Sequence, residues 1–279
     1  MIVNNDTAKE LSGSDVFQKE PEISAENQKG RRNMAIEVFN RVEKKYIIDD
    51  YSYHILNETL SSYMIEDRFC TGNRFYSISN IYFDTWDDEL IRRSVDRPLY
   101  KEKLRLRSYG IPTLEDKVFL EIKKKFKGVV NKRRTVLQLG EAYDFLLDHK
   151  SPMPNSYINE QVLNELKYFM DLYQPVPKVY LAYDRKALFG KEDGELRITF
   201  DTNIRTRRER LRLESGDDGE ELLKKGIWLM EIKTVGSMPV WLSELLTELK
   251  IYGCSFSKYG TEYKNYIAAK RSRTERKIC

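Results

Sequence analysis

The sequence predicts an α+β fold, an antiparallel β-barrel of about eight strands with flanking helices. Many segments alternate apolar and polar residues, which is the pattern of strands. The 18 tyrosines and 12 phenylalanines also favour sheet. Helical periodicity appears only in a few shorter stretches. A twisted sheet of this many strands tends to curl or close. No turn signal divides the 279-residue chain, so we expect one domain.

The strand predictions rest on segments rich in β-branched and aromatic residues. In chain order they cover residues 37–49, 76–85, 99–110, 117–126, 129–139, 178–189, 196–208 and 226–235.

Four stretches have helical patterns: residues 51–64, 141–147, 158–172 and 237–253. Asp49 and Asp50 are plausible caps for the first. For the fourth, we expect Ser237 as the cap, Pro239 in the first turn and Gly253 past the end.

Composition excludes several kinds of protein. Lysine plus arginine is 48 against 44 acids, so the net charge of +4 is small for a simple nucleic-acid binder. Three scattered cysteines and two histidines show no disulfide or metal-ligand spacing. No apolar run is long enough to span a bilayer and no signal layout opens the chain, so we expect a cytosolic protein.

Both ends of the chain are polar. We expect residues 1–34 to form a flexible leader, residues 35–268 to form the folded domain and residues 269–279 to form a basic tail. The tail is interpreted as a solvated helix end, with contact to a membrane or polyanion as the alternative.

Charged residues alternate along the predicted strands. In "KLRLRSYG" (103–110), Arg105 and Arg107 point to one face and Leu104 and Leu106 to the other. A solvated outer face is the ordinary interpretation of one such strand. Repetition over many strands favours a charged lumen instead. Buried cations require acids or a bound polyanion, and arginine's planar fork suits phosphate. Acids among the cations, at Glu43, Glu121 and Glu231, could bind a hard divalent metal.

Nine short motifs occur in an order that resembles a known family. They are "RVEKKYII" (41–48), "SNIYFDT" (79–85), "KLRLRSYG" (103–110), "FLEIKKK" (119–125), "NKRRTVL" (131–137), "YLAYDRKAL" (180–188), "LRITFDTNI" (196–204), "LMEIKT" (229–234) and "FSKYGTEY" (256–263). The chain resembles the VTC (vacuolar transporter chaperone) polyphosphate polymerase domain of the triphosphate tunnel metalloenzyme superfamily. One departure is that Arg41 stands where the superfamily's hydrolases and cyclases have the first acid of Glu-x-Glu-x-Lys. This favours the polymerase branch.

The resemblance implies a tunnel that transfers the γ-phosphoryl group of ATP to a growing polyphosphate chain, with Mn²⁺ or Mg²⁺. ATP and polyphosphate or pyrophosphate would be the ligands, without nucleic acid. The resemblance is also compatible with a membrane-protein partner that this chain does not itself encode. The implied catalytic cations are Lys45, Arg105, Arg107, Lys123, Lys132, Arg185, Arg197 and Lys258. Supporting contacts are assigned to Tyr183, Ser257, Arg134 and Lys233. Glu231 is the first choice as metal ligand, with Glu121 and Glu43 as second choices.

Other functions remain open from sequence. An inorganic triphosphatase on the same fold would release phosphate from tripolyphosphate without a long product. A non-enzymatic polyanion or RNA binder would show salt-sensitive affinity alone, but it gains nothing from the interleaved acids. A nucleotide cyclase is a weaker alternative.

Overall fold

A computed structural model describes residues 41–72, 74–96 and 98–278, with side chains over 42–272 of that range. The predicted leader lies outside the described residues, as does the start of the first predicted strand.

The described chain forms ten strands and six α-helices. The strands are β1 (Arg41–Asp49), β2 (Met64–Glu66), β3 (Tyr76–Asp84), β4 (Tyr100–Tyr109), β5 (Lys117–Phe126), β6 (Val129–Gln138), β7 (Val176–Gly190), β8 (Arg197–Arg207), β9 (Glu220–Glu221) and β10 (Ile227–Val235). The helices are α1 (Asp50–Leu60), α2 (Glu89–Val95), α3 (Leu139–Asp148), α4 (Glu160–Tyr173), α5 (Val240–Glu248) and α6 (Lys258–Ile278).

One antiparallel sheet contains all the strands, and the predicted fold class is confirmed. Its main path runs β1-β10-β8-β7-β3-β4-β5-β6, while β2 pairs with β7 and β9 with β8. Among the described residues, no ladder joins the two edge strands β1 and β6, so the sheet is curled but not closed by hydrogen bonds. The eight strands of the path correspond to the eight predicted segments.

Helices cover the outer face of the sheet over two apolar cores. One core joins β3 to β6 with α3 and α4 and includes Leu104, Leu106 and Leu166. The other joins β1, β8 and β10 with α1 and α5 and includes Phe200 and Met230. Because the leucines of "KLRLRSYG" are fully buried in the outer core, the arginines between them face the concave side.

The third apolar cluster lies on the concave, inner face at one end of the sheet. There α2 and α6 pack against β3, β7 and β8, and Tyr259 stacks on Tyr82 with ring centroids 4.7 Å apart. Arg208 on the segment after β8 makes a bidentate pair with Glu262 of α6. The helix is therefore held inside the curl by contacts independent of the charged strip.

Two helix predictions need correction. The first helix ends at Leu60, and Met64 instead opens β2. Ser237 does not cap α5, because Pro239 occupies the N-cap position with extended backbone. The proline disfavours helical geometry at the preceding residue, Met238, so the first helical turn cannot directly follow Ser237.

The helix α6 continues through the predicted basic tail as far as Ile278. None of the helices in the described ranges combines the length and apolarity needed to cross a membrane.

The helix α2, which the sequence did not predict, depends on a buried carboxylate. Asp84 Oδ1 accepts the Leu90 amide and Oδ2 accepts the Ile91 amide, both at 2.8 Å. Tyr259 Oη also donates to Oδ2 at 3.1 Å. Asp84 is fully buried, so it joins α2, β3 and α6 as a structural residue.

Substituting Asp84→Ala is expected to lower the free energy of unfolding by roughly 2–4 kcal/mol, because buried donors lose their acceptor as well as a helix cap. Urea denaturation measures this. The matched control is Asp49→Ala, which removes the exposed N-cap of α1 and should cost about 1 kcal/mol. Equal losses for the two variants would contradict the joining role.

Candidate functional site

The charged strip of the inner face consists of two walls. The first wall is formed by β1, β10, β8 and the end of β7, and the second by β4, β5 and β6. The strand register of the second wall arranges its side chains in two rows. Those rows are Arg105–Glu121–Arg134 and Lys103–Lys123–Lys132. Directly paired residues of antiparallel strands lie on the same face, so the rows present five cations and one of the wall's carboxylates to the lumen.

Glu121 is the anion at the centre of the second wall. Its carboxylate lies 2.6 Å from Arg105 Nε, 2.5 Å from Lys132 Nζ and 3.8 Å from Arg107 Nε. Burial raises its pKa, but the three cations outweigh burial and hold the pKa well below the usual range. Glu121 therefore remains ionised and fixes the cations around it.

Arg107 is buried and oriented by two neutral groups. Its Nε donates to Asn80 Oδ1 at 2.9 Å and its Nη2 to Tyr183 Oη at 3.2 Å. Arg105 Nη1 similarly donates to Tyr82 Oη at 3.3 Å. Both guanidinium groups are thus held in position before any ligand arrives.

The first wall is formed by β1, β10, β8 and the end of β7. Glu231 lies 2.9 Å from Lys45 Nζ, 3.8 Å from Lys258 Nζ, 3.9 Å from Arg185 Nη2 and 4.0 Å from Lys233 Nζ. Burial raises the pKa of Glu231, yet these cations hold it well below the usual range. The wall combines a buried carboxylate with a surrounding excess of cations.

A second buried acid of this wall, Asp201, escaped the sequence reasoning. It accepts Arg185 Nε and Nη2 at 2.6 and 2.7 Å, and Lys258 Nζ lies 2.5 Å from Oδ2. The signal was present in "RITFD", where Asp201 alternates with Arg197 and Thr199 on the inner face. The prediction used the arginine of this strand and overlooked the acid.

The two walls face each other across the curl. Glu43 lies 3.4 Å from Lys45 Nζ and 3.7 Å from Lys233 Nζ on its own wall, and Lys123 of the opposite wall also lowers its pKa. Lys45 in turn lowers the pKa of Lys103. Contacts of two consecutive residues show the same arrangement, because Lys258 lies 3.8 Å from Glu231 of the first wall and Ser257 accepts from Lys103 of the second. The cations of both walls therefore surround one lumen.

The N-terminal end of α6 bridges the walls. Lys103 Nζ of the second wall donates to Ser257 Oγ at 3.2 Å. Lys258 Nζ lies 4.3 Å from the centroid of the Tyr183 ring, whose hydroxyl binds Arg107. Burial raises the pKa of Tyr183, but its cationic neighbours outweigh burial and lower it. Tyr183 therefore has a cation on each side.

The structure brings most of the predicted residues together, and two lie toward the edges of the strip. Arg197 pairs in register with Lys233, stacks over Phe189 and comes within 4.0 Å of Asp67. Arg134 stacks over Phe119 at 4.9 Å. The side chain of Arg41 lies outside the described residues, so its role stays a prediction.

Three lysines of the lumen have unusually low pKa values. Burial and neighbouring cations lower the pKa of Lys103 and Lys132 to about 8, although Glu121 opposes the shift at Lys132. Burial lowers the pKa of Lys233 to about 8 against the pull of Glu231. The free lumen thus holds more positive charge than its own acids balance.

This charge excess predicts a pH-dependent affinity for polyanions. A bound polyphosphate favours the charged lysines and raises their pKa above about 8, so binding takes up protons once the pH exceeds 8. Below about pH 7 these three lysines are largely charged, so their titration no longer alters the affinity for tripolyphosphate. Above pH 8 it should fall by up to about tenfold per pH unit for each proton taken up. Calorimetry at pH 7 and 9 in two buffers of different ionisation enthalpy measures both effects. A pH-independent affinity would refute the charge excess.

The donor set suits a metal only in part. Within the described residues, no group of three or more His, Cys, Asp and Glu side chains is arranged to hold a metal ion. Glu231 and Glu43 nevertheless both contact Lys45 and therefore lie side by side. Mg²⁺ and similar hard cations are commonly held by one or two carboxylates plus substrate phosphates and water. These two residues fit that arrangement better than Glu121, whose oxygens lie 2.6 Å from Arg105 and 2.5 Å from Lys132. In the part of the chain that the structure describes, only one of the four oxygens of Glu231 and Glu43 has such a close ion-pair contact, at 2.9 Å from Lys45, and the contacts of the other three are 3.4 Å or longer.

Several solved structures are similar to this chain. A proposed adenylate cyclase from Bacillus halodurans is 16% identical with a TM-score of 0.49, covering 78% of this chain and 93% of its own. A proposed adenylyl cyclase from Hippeastrum, described as having a dominant triphosphatase activity, is 17% identical with a TM-score of 0.48, covering 81% and 96%. A proposed adenylate cyclase from Vibrio parahaemolyticus is 12% identical with a TM-score of 0.42, covering 80% and 97%.

No curated protein matches the sequence. The model of the family described as the VTC domain matches residues 40–267, which include both walls and the start of α6. This match covers most of the chain, and the protein therefore belongs to the VTC domain family.

Proposed function

We propose that this protein is an ATP-dependent polyphosphate polymerase. Family membership and the cationic lumen indicate an enzyme that acts on phosphates. The observation that carries the finer proposal is the pair of opposed cationic walls, which present buried, pre-oriented guanidinium and ammonium groups to one lumen. Such a lumen fits two anionic phosphate chains that must approach each other.

The proposed reaction needs positioning more than a covalent nucleophile. A terminal oxygen of the acceptor polyphosphate attacks the γ-phosphorus of ATP. The bond from that phosphorus to the β–γ bridging oxygen breaks, and ADP leaves with the bond's electron pair. The attacking oxygen is already anionic at neutral pH, so no general base is required. Repulsion between the two chains is the main obstacle, and fixed cations reduce it.

In this proposal the two walls have related roles. Arg105, Arg107 and Lys132 of the second wall bind phosphate oxygens while Glu121 keeps them in place. Lys45 and the remaining first-wall cations bind from the opposite side. The remaining first-wall cations are Arg185, Arg197, Lys233 and Lys258. Ser257 and Tyr183 support them, and Lys123 and Arg134 do so from the opposite side of the lumen. Charge that develops on the transferred group and on ADP is thus met from both sides.

Mn²⁺ or Mg²⁺ would be held by Glu231, with Glu43 beside it, and would supply further neutralisation of phosphate charge. Inorganic triphosphatase activity is the second candidate. Glu43 favours it, because this partly exposed acid lies within the contact sphere of Lys45 together with Glu231 and could orient a water molecule.

The experiment that tests the proposal incubates the purified protein with ATP and Mn²⁺ and resolves the products on a gel stained for polyphosphate. A ladder that lengthens with time, with ADP released, is the expected result. Free phosphate alone, from ATP or tripolyphosphate, would replace the polymerase with the triphosphatase. Unchanged ATP and tripolyphosphate would refute both enzymes.

A further inference from the structure

We propose that Asp201 is a positioning residue that fixes Arg185 of β7 and Lys258 of α6 in the orientation with which they bind phosphate. This inference rests on the proposed function, because it assigns a role within the same lumen. Asp201 itself would not touch substrate, since its side chain has no exposed surface and both of its oxygens already contact the two cations.

The first step of the argument is the register of β7 and β8. Asp201 is paired directly with Arg185, so the carboxylate and the guanidinium lie side by side on the inner face. Their contact is bidentate through Nε and Nη2. A planar fork bound in this way loses its rotational freedom, and a phosphate would be bound through Nη1.

The second step concerns the position of Lys258 at the start of α6. A cation in the first turn is unfavourable next to the positive end of the helix dipole. The carboxylate of Asp201, 2.5 Å from Lys258 Nζ, offsets this cost. It also directs the ammonium group toward Glu231, 3.8 Å away, and over the Tyr183 ring.

The third step separates positioning from helix docking. Tyr259 is anchored by Asp84, and Glu262 by Arg208, and neither contact involves Asp201. Loss of Asp201 should therefore loosen the first turn of α6 and its lysine without releasing the helix from the sheet.

The test compares Asp201→Asn with Asp184→Asn. Asp184 is the matched control, because it lies on the same strand pair and binds Arg205 and Asn203 on the opposite face. Asp201→Asn should lower kcat about tenfold to 100-fold, the effect of a small misplacement of groups that position substrate. Its Kd for tripolyphosphate should stay within about threefold, because the removed charge offsets the lost alignment. Asp184→Asn should change neither value.

A double-mutant cycle gives a readout that a merely structural role would not move. Because Asp201 acts through Lys258 as well as through Arg185, Asp201→Asn should slow the Lys258→Gln variant by a smaller factor than it slows the parent protein. With Lys132→Gln on the opposite wall, the effects should multiply. The proposal is overturned if the effect of Asp201→Asn on kcat multiplies with that of Lys258→Gln as well as with that of Lys132→Gln. It is also overturned if Asp201→Asn keeps the parental kcat.

Two further measurements cover the remaining outcomes. If Asp201→Asn does not fold, Asp201→Glu keeps the charge but displaces it by one methylene, and a parental kcat in that variant contradicts the proposal. If the parent protein turns over neither ATP nor tripolyphosphate, the proposed function fails, and hydrogen exchange still tests Asp201. Amides of residues 258–263 should exchange faster in Asp201→Asn than in Asp184→Asn, and equal exchange refutes the positioning role.

Discussion

Substituting Arg107→Ala is expected to reduce polyphosphate synthesis by about 10²–10³-fold, the usual cost of removing one pre-oriented donor from a transition state. Arg107 is 7% exposed and is oriented by Asn80 and Tyr183, so its guanidinium needs no rearrangement when charge develops on the phosphates. Arg107→Lys should recover little of the rate, because a lysine cannot reach the amide, the phenol and a phosphate together.

The measurement is the initial rate of polymer formation together with urea denaturation of each variant. Loss of donors to two buried groups should also lower the free energy of unfolding by roughly 1–3 kcal/mol. The control is Arg212→Ala, which removes an arginine that also pairs with a glutamate and contacts a tyrosine, in this case by stacking over its ring, but away from the lumen. Equal rates for the two alanine variants would show that Arg107 supports the fold alone.

Glu231→Gln should lower the turnover rate by about 10²-fold or more. The affinity of this variant for tripolyphosphate should be unchanged or higher. In the proposed mechanism, loss of the carboxylate removes a metal ligand. It also leaves Lys45, Lys258 and Arg185 with less negative charge nearby, so their attraction for phosphate grows. Turnover and ground-state binding should therefore change in opposite directions.

Activity titrated with Mn²⁺ and metal-free calorimetry with tripolyphosphate separate these effects. Glu262→Gln is the matched control, since Glu262 is equally buried, at 7% exposure, but pairs with Arg208 outside the lumen. Parental turnover with an unchanged Mn²⁺ midpoint in Glu231→Gln would move the metal to other ligands. A lower affinity for tripolyphosphate would show that Glu231 acts mainly by holding the cations.

The strands were predictable because their signal is local. Alternation in segments such as "KLRLRSYG" reports which residues share a face, and it predicted the eight strands of the main path. The helices were less certain. Asp84 caps α2 from six and seven residues away and from inside the core, so the short helix lacks a recognisable start in sequence. Proline disfavours helical geometry at the residue before it, and this restriction at Pro239 could have excluded Ser237 as the N-cap of α5. The prediction did not apply it.

The predicted site residues came from the ordered motifs of the family resemblance, and the alternation of cations and acids on successive strands was an independent sign of a charged face. Asp201 was missed because the alternation in "RITFD" shows only that this acid shares a face with Arg197 and Thr199, and it does not show which cations are its partners. Arg185 lies across a strand pair and Lys258 at the start of a distant helix. Only the register of β7 with β8 and the insertion of α6 bring the three together.

The sequence by itself determined the strand content, the face on which each charge lies and the ordered motifs of the VTC domain family. Periodicity carries this information, because side-chain direction along a strand depends only on position parity. The charged lumen was an expectation from the sequence, whereas the tertiary structure alone decided that two walls face each other across it and that α6 brings Lys258 between them. Those features arise from contacts between strands far apart in the chain, which no local pattern specifies.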